Sequence, residues 1–590
     1  MNKKIELFFK RALRRHKRNI EDIGGNTEKT IDKHFFRRLH HLKNVRRQMA
    51  GWLILIALVI LVGFLQFGAL REKYLPEKFV SGGIFTEGIV GSYTNSNPIY
   101  SSTSSVDSSV SELLYAGLFN YDAEGKLTPD LAESITLSSD NKTYTVALKS
   151  DLYWHDGTPL TAKDVVFTFN TIKNPDAESF LAPGWQGIRV EAVDDYTIRF
   201  ELDNALGPFP HSLTIGILPE HILGSLPADQ LRASDFNTVN AVGSGPFRIG
   251  KVEVNDASSE TKTQTIGLLP FEKYHKGKPA LSRYIIKTFD SQENLKKAFT
   301  AGEITAASDV SSVFDDQGTD SDNNFIPVNL TAQTMVFFKN SEGLLADTKV
   351  RRALTLGVNK QEIITATGDP LHPIDSPMLN PHFAYSKKVT QKTNNPSEAK
   401  KVLNKAGWKP QADGTRMKKK TRLSFNLYVN DSNEHQAVAE KLKEQWREIG
   451  AEVNVVIESE ENRQSTIATH SYDALLNSIS VGADPDVYAF WHSSQFDPRL
   501  KTRLNFSEYK SKDADASLEG GRSRTDPKLR TVKYQPFLKA WTTDNPAVAL
   551  YRPQFVFLVS GELDGFTVKN MVNISDKYVN IENWKIRKER

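Results

Sequence analysis

Apolar and polar positions along this chain fall into two periods. Thr143-Tyr144-Thr145-Val146-Ala147-Leu148 and Thr197-Ile198-Arg199-Phe200-Glu201-Leu202 alternate strictly, which predicts strands with one buried face. Gly82 to Gly91 reads as an early strand and Val453-Asn454-Val455-Val456-Ile457 as a later one. Ser397 to Gly407, with Ser397 as its cap residue, and Glu434 to Gly450 space their apolar residues at helical intervals and close on glycine, which suits the left-handed residue that follows many helices. Thr161, with Asp164 three residues on and Val165, Val166 and Phe167 behind it, predicts a helix start with a carboxylate near the positive end of the helix. Strands and helices mixed without a strict alternating repeat predict an α/β fold with mixed sheets.

One stretch follows neither period. From Met49 to Leu70 no residue is charged, and Trp52 to Leu65 is almost wholly aliphatic. About 20 helical residues rise about 30 Å, the thickness of bilayer hydrocarbon. Arg37, Arg38, Lys43, Arg46 and Arg47 precede the run, and Arg71-Glu72-Lys73 follow it. The positive-inside bias therefore predicts a basic cytoplasmic tail over 1–48, an anchor over 49–70 and an extracytoplasmic body over 71–590. A cleaved signal peptide is the competing reading; its apolar core is normally about 7 to 15 residues and lies closer to the start.

Charge divides at the same place. Residues 1–50 hold 15 Lys and Arg against 5 Asp and Glu, leaving 60 against 66 in the rest. The tail suits anionic lipid, and the mildly acidic body offers no nucleic-acid surface. At 590 residues the chain exceeds one hydrophobic core and should divide into lobes. It has no cysteine, which excludes disulfides, thiolate metal sites and cysteine nucleophiles. There is no Gly-x-Ser-x-Gly elbow, P-loop or HExxH cluster in the sequence, so no catalytic residue, metal site or cofactor is expected. His155-Asp156-Gly157 is read as turn chemistry.

The stretch Thr128-Pro129-Asp130-Leu131-Ala132 through Trp154-His155-Asp156-Gly157-Thr158-Pro159-Leu160-Thr161 to Asp164-Val165-Val166 resembles the signature of the extracellular solute-binding proteins of ABC importers, in the peptide- and nickel-binding family. The likeness continues in order. Asn97-Pro98, Leu113 to Leu118, Asn240 to Phe247, Val350-Arg351-Arg352-Ala353-Leu354, Ala399 to Leu403 with Ala406-Gly407-Trp408, Ala483-Asp484-Pro485-Asp486 and Pro546 to Tyr551 each match a landmark.

The resemblance implies a periplasmic-binding-protein-like fold of three lobes: I over about 80–115, 215–335 and 540–590, II over about 116–214, III over about 336–539. Ligand would be enclosed between I and III by hinge closure. The implied partners are an oligopeptide or peptide-like solute, an ABC permease with its ATPase subunits, and the bilayer; a monomer is expected. A ligand sensor using the same ectodomain and an extracytoplasmic chaperone or adhesin are the alternatives.

In peptide-binding members an aspartate shortly before the Asp-Pro turn binds the α-ammonium, but Val481 or Gly482 stands there in this chain. Asp484 or Asp486 could take over that contact, or the ligand could have no free amine there, as with a modified peptide, a glycan or a peptide gripped mid-chain; the competing reading of the two aspartates is a turn whose carboxylates cap backbone N–H groups. The remaining candidates are Ser102 and Ser104 after the Asn-Pro turn, Ser478 and Ser480 before Asp484, and Tyr488 and Trp491 as stacking surface.

Overall fold

The structure is a computed structural model that describes residues 50–52, 54–62, 79–80, 82–101, 104–254, 263–310, 323–369, 371–500 and 502–587. The chain forms two compact units, Met1–Lys78 and Phe79–Arg590. In the first, residues 50–52 and 54–62 are helical and exposed. The rest of the expected anchor and the basic tail lie outside the described residues. Among the described residues no helix is long and apolar enough to cross a membrane.

Three sheets organise the second unit. The first has eight strands in the order Asn570–Met571, Asn323–Leu330, Gln554–Ser560, Ala306–Ser308, Ile84–Val90, Arg283–Phe289, Gln264–Pro270 and Phe247–Val254. Its centre is parallel, Ile84–Val90 lying between Arg283–Phe289 and Ala306–Ser308. The central strand buries a carboxylate, Glu87, which pairs with the equally buried Lys577 at 3.1 Å and accepts from the Tyr284 and Tyr578 hydroxyls at 2.6 Å each. A buried charge is tolerated when it is answered in this way.

The second sheet has four antiparallel strands, Ala132–Leu137, Thr143–Leu148, Thr197–Leu202 and Ile188–Asp194. The two alternating segments lie at its centre, with Tyr144, Val146 and Leu148 and then Ile198, Phe200 and Leu202 buried. The helix Ala162–Lys173 packs beside them, and Asp164 accepts from the backbone N–H of Thr161 at 2.8 Å and of Glu220 at 2.9 Å.

The third sheet has six strands, His372–Pro373, Ala547–Arg552, Ala332–Phe338, Ala474–Ser480, Ser424–Asn430 and Glu452–Glu458. Ala332–Phe338 and Ala547–Arg552 are apolar almost throughout because both of their faces are covered. Val336, Phe338, Val548 and Leu550 face one core, and Met335, Phe337, Ala547 and Ala549 the other.

We label the five strands that bear on the site β1 (Asn323–Leu330), β2 (Ala332–Phe338), β3 (Ala474–Ser480), β4 (Ala547–Arg552) and β5 (Gln554–Ser560). The passages from β1 to β2 and from β4 to β5 are crossovers between the eight- and six-stranded sheets. Residues 332–335 and 547–552, expected with the first lobe, therefore pair in the six-stranded sheet. Polar residues interrupt both crossovers, Thr331 and Gln333 in one and Arg552-Pro553-Gln554 in the other.

The two predicted helices form as Pro396–Lys405 and Asn433–Glu448. The first begins earlier than expected: Asn395, not Ser397, is its cap, accepting from the Glu398 N–H at 3.0 Å. Pro396 follows at the first helical position, where a missing N–H costs nothing.

Candidate ligand-binding cleft

Ser478 and Ser480 project from one face of β3 and are exposed. Opposite them in the register stand Thr334 and Ala332 of β2. The Thr334 and Ser478 hydroxyls are 2.8 Å apart. On the other side of Thr334 is Tyr551 of β4, whose hydroxyl donates to Glu434 Oε1 at 2.5 Å. The core under the six-stranded sheet thus ends in a polar lip.

Acidic side chains surround that lip. Burial pushes the Glu434 carboxyl up, the Tyr551 hydrogen bond opposes this, and the charges of Asp369 and Asp309 add to the rise. Asp309 comes from the eight-stranded region, just beyond the strand Ala306–Ser308, so the two regions bring carboxylates toward each other. Asp309 keeps contact with solvent while the protein around it raises its pKa, an effect the Lys577 charge opposes.

The Asp484-Pro485-Asp486 turn is built differently. Asp484 Oδ1 accepts from the Asp486 N–H at 2.9 Å, and Asp486 Oδ1 from the Tyr488 N–H at 3.3 Å. Arg530 grips Asp484 as a fork, at 2.5 and 2.6 Å. Burial alone would lower the Arg530 pKa, but the hydrogen bonds and charge of Asp484 outweigh it and the pKa rises. Asp486 pairs with Arg522 at 3.2 Å, and burial raises its carboxyl despite that charge. Both carboxylates are therefore already answered within the protein.

The aromatic candidates divide. Tyr488 is half-buried, stacks on His492 with centroids 4.1 Å apart and carries Arg522 over its ring at 4.2 Å. Trp491 is a correction to the expected stacking surface. It is 0% exposed, stacked on Phe337 at 5.7 Å and edge-on to Trp541 at 5.5 Å. It fills core space beneath the sheet and presents no face to a ligand. The Ser104 hydroxyl caps the helix Ser105–Leu114, accepting from the Asp107 N–H at 3.2 Å. Ser102 lies outside the described residues.

The loop before His211 in the four-stranded region meets the six-stranded region. The Gly207 N–H donates to the Arg522 carbonyl at 2.7 Å. A Cβ at Gly207 would stand 2.0 Å from the Arg524 carbonyl oxygen, so the seam requires glycine. His211 Nε2 is 3.9 Å from Asp484 Oδ2 and its Nδ1 is 3.1 Å from the Tyr121 hydroxyl. His155 and Asp156 sit in a turn as expected from their sequence: His155 Nδ1 accepts from the Gly243 N–H at 3.1 Å and Asp156 Oδ1 from the Thr158 N–H at 2.9 Å. Among the described residues no group of three His, Asp or Glu side chains could hold a metal ion.

Sequence reasoning missed Glu434, Asp309, Thr334 and Tyr551 as a set. Nothing in their spacing links them; the sheet register and the two crossovers do.

A profile described as "Bacterial extracellular solute-binding proteins, family 5 Middle" matches residues 126–498. The chain belongs to that family. Family 5 relatives match over most of its length. The Oligopeptide-binding protein AppA of Bacillus subtilis is 28% identical over 563 residues, covering 92% of this chain and 100% of the relative. The structure of that protein with a nonapeptide superposes with a TM-score of 0.68 at 26% identity, over 87% of this chain and 100% of that one. CtaP from Listeria monocytogenes, an ABC transporter substrate-binding protein, gives 0.75 at 26% identity over 86% and 100% of the two chains. NikZ from Campylobacter jejuni, in complex with Ni(L-His), gives 0.71 at 25% over 85% and 99%. Family 5 members of this kind bind solutes for ABC transporters and are not enzymes.

Proposed function

We propose that this protein is a membrane-anchored extracytoplasmic receptor that captures oligopeptides or peptide-like solutes and delivers them to an ABC permease powered by separate ATPase subunits. The observation that carries the reading is the pair of adjacent crossovers, β1 to β2 and β4 to β5, beside a polar lip of Thr334, Ser478 and Ser480. Two sheet-built lobes joined in this way can close about a short pivot, and closure is favoured by whatever touches both. Lobe I is the eight-stranded region, lobe II the four-stranded and lobe III the six-stranded. Exposed hydroxyls on a strand suit the backbone groups of an extended peptide, and the relative AppA was solved with a nonapeptide.

Asp484 and Asp486 act as turn and seam residues in this reading, since each already holds an arginine. The serines of β3 and the half-buried Tyr488 remain its contact surface, and the receptor works as a monomer. The uncharged run 49–70 tethers the receptor, in place of the lipid that a cysteine would carry.

Native mass spectrometry of the full chain, extracted gently and offered a mixed peptide pool, tests the binding reading. Retained peptide masses are expected; a chain that holds none contradicts it. Extraction at alkaline pH tests the tether: the chain stays with membranes, and a variant with polar residues across 54–62 is released.

A further inference from the structure

The three regions of the body do not share their interiors equally. Tyr144, Val146 and Phe200 of the four-stranded region lie in one buried apolar cluster with Phe85, Tyr284 and Phe557 of the eight-stranded region. The six-stranded region keeps its own cores, one around Val336, Leu427 and Val548 and another around Phe337, Trp491 and Trp541. The path of the chain follows the same division. It enters the four-stranded region after the strand Ile84–Val90 and leaves it before Phe247–Val254, both of them strands of the eight-stranded sheet. Lobes I and II are therefore one packed body, and lobe III is joined to it through the two crossovers.

Lobe II nevertheless touches lobe III, and the contact is polar. The Gly207 N–H donates to the carbonyl of Arg522, which ends the helix Lys512–Arg522, at 2.7 Å. In the short loop that leads on to the helix Pro527–Asp544, the Thr525 hydroxyl donates to Asn141 Oδ1 at 3.3 Å. His211 Nε2 lies 3.9 Å from Asp484 Oδ2. Among the described residues no buried apolar cluster spans this seam. Polar contacts between domains are made and broken more readily than a packed core. Because Gly207, Asn141 and His211 ride with lobe I, and Arg522, Thr525 and Asp484 with lobe III, a swing of lobe III about the crossovers changes their separation.

We propose that lobe II is a latch for the closed receptor: its seam with Arg522, Thr525 and Asp484 forms as lobe III closes on lobe I, and sets how firmly a bound solute is held. The inference rests on the receptor reading above and adds to it a part for lobe II, which supplies no side chain to the polar lip. Gly207 permits the close approach, since a Cβ there would stand 2.0 Å from the Arg524 carbonyl oxygen. Apparent affinity scales with the fraction of receptor that is competent to hold the ligand. The seam joins protein groups to one another, so it favours closure alike for every solute. Its loss should weaken retention of all peptides by one common factor and leave the order of preference unchanged.

Hydrogen exchange of the full chain, read by mass spectrometry on the segment 204–211 with and without a saturating nonapeptide, tests the latch with no variant to fold. Exchange at the Gly207 amide is expected to slow about tenfold or more when the peptide binds, the scale of one net hydrogen bond. Equal exchange in the two states overturns the latch. Gly207→Ala should weaken retention of a panel of unrelated nonapeptides by a common factor of about tenfold, and Thr525→Val by less. Undiminished retention by a folded Gly207→Ala overturns the proposal, as do losses that differ from peptide to peptide. A chain that holds no peptide overturns the receptor reading and the latch with it, a result seen in the binding step before any exchange is measured.

Discussion

Two buried arginines in this molecule stand in opposite circumstances. In the six-stranded region Arg530 meets Asp484 through two short bonds, and the turn that carries Asp484 is tied down further by backbone N–H groups. At the crossovers Arg552 meets, among the described residues, a carbonyl and an amide. Buried Arg351 and Arg416 resemble Arg552, donating to carbonyls and, for Arg416, to the Asn404 amide oxygen. The contrast separates charges closed by a counter-ion, as in Arg530–Asp484 and Lys577–Glu87, from charges held by neutral oxygens.

Removing an answered partner should have the largest effect. Asp484→Ala strands the Arg530 guanidinium and is expected to cost about 3 to 5 kcal/mol, measured by denaturant unfolding. Arg552→Gln removes a cation held by a carbonyl and an amide, and should cost about 1 kcal/mol. Equal losses would erase the distinction between the two sites.

The seam is the next test. Gly207→Ala forces a methyl group against the Arg524 carbonyl, with an expected cost of about 1 to 3 kcal/mol. The four- and six-stranded regions should then part, seen as a larger radius of gyration in scattering. An unchanged radius with unchanged stability would show that the contact is incidental.

A smaller, pH-dependent effect separates the surroundings of the two arginines. Burial lowers the pKa of His382 to about 4, the Gly482 carbonyl and Asp484 opposing the fall and Arg552 and His211 adding to it. The unfolded chain takes up that proton near pH 6.5. The contribution to stability is therefore complete above about pH 6.5 and is lost as pH falls toward 4. His382→Gln should lose less stability than the unaltered chain between pH 7 and pH 5, read as the shift in thermal midpoint. A parallel loss in both would place the titration elsewhere, for example at His155, which burial also lowers to about 4.

Ser480→Ala should be the mildest change, within about 0.5 kcal/mol in stability because the side chain is exposed. Its effect belongs to peptide retention.

How much of this was legible in the sequence depends on how local each feature is. The alternating segments 143–148 and 197–202 became the central strands of one sheet because period two fixes which side chains are buried. The Thr161 and Asp164 start formed for the same local reason. The Ser397 cap failed locally: Asn395 and Pro396 make the stronger start. Trp491 failed because exposure is decided by packing, here against Phe337 and Trp541, and no spacing rule reports that. Arg552 is the clearest case. It directly follows Pro546 to Tyr551, a run that matched a family landmark, yet its lack of a carboxylate becomes visible only when β4 is laid beside Leu330 and Asn570.

The proposed receptor closes its lobes about the two crossovers when a peptide is bound. Small-angle scattering of the full chain, first alone and then with a saturating nonapeptide, measures that closure. The radius of gyration is expected to fall when the peptide binds. A radius that stays the same when the peptide is demonstrably bound would contradict closure.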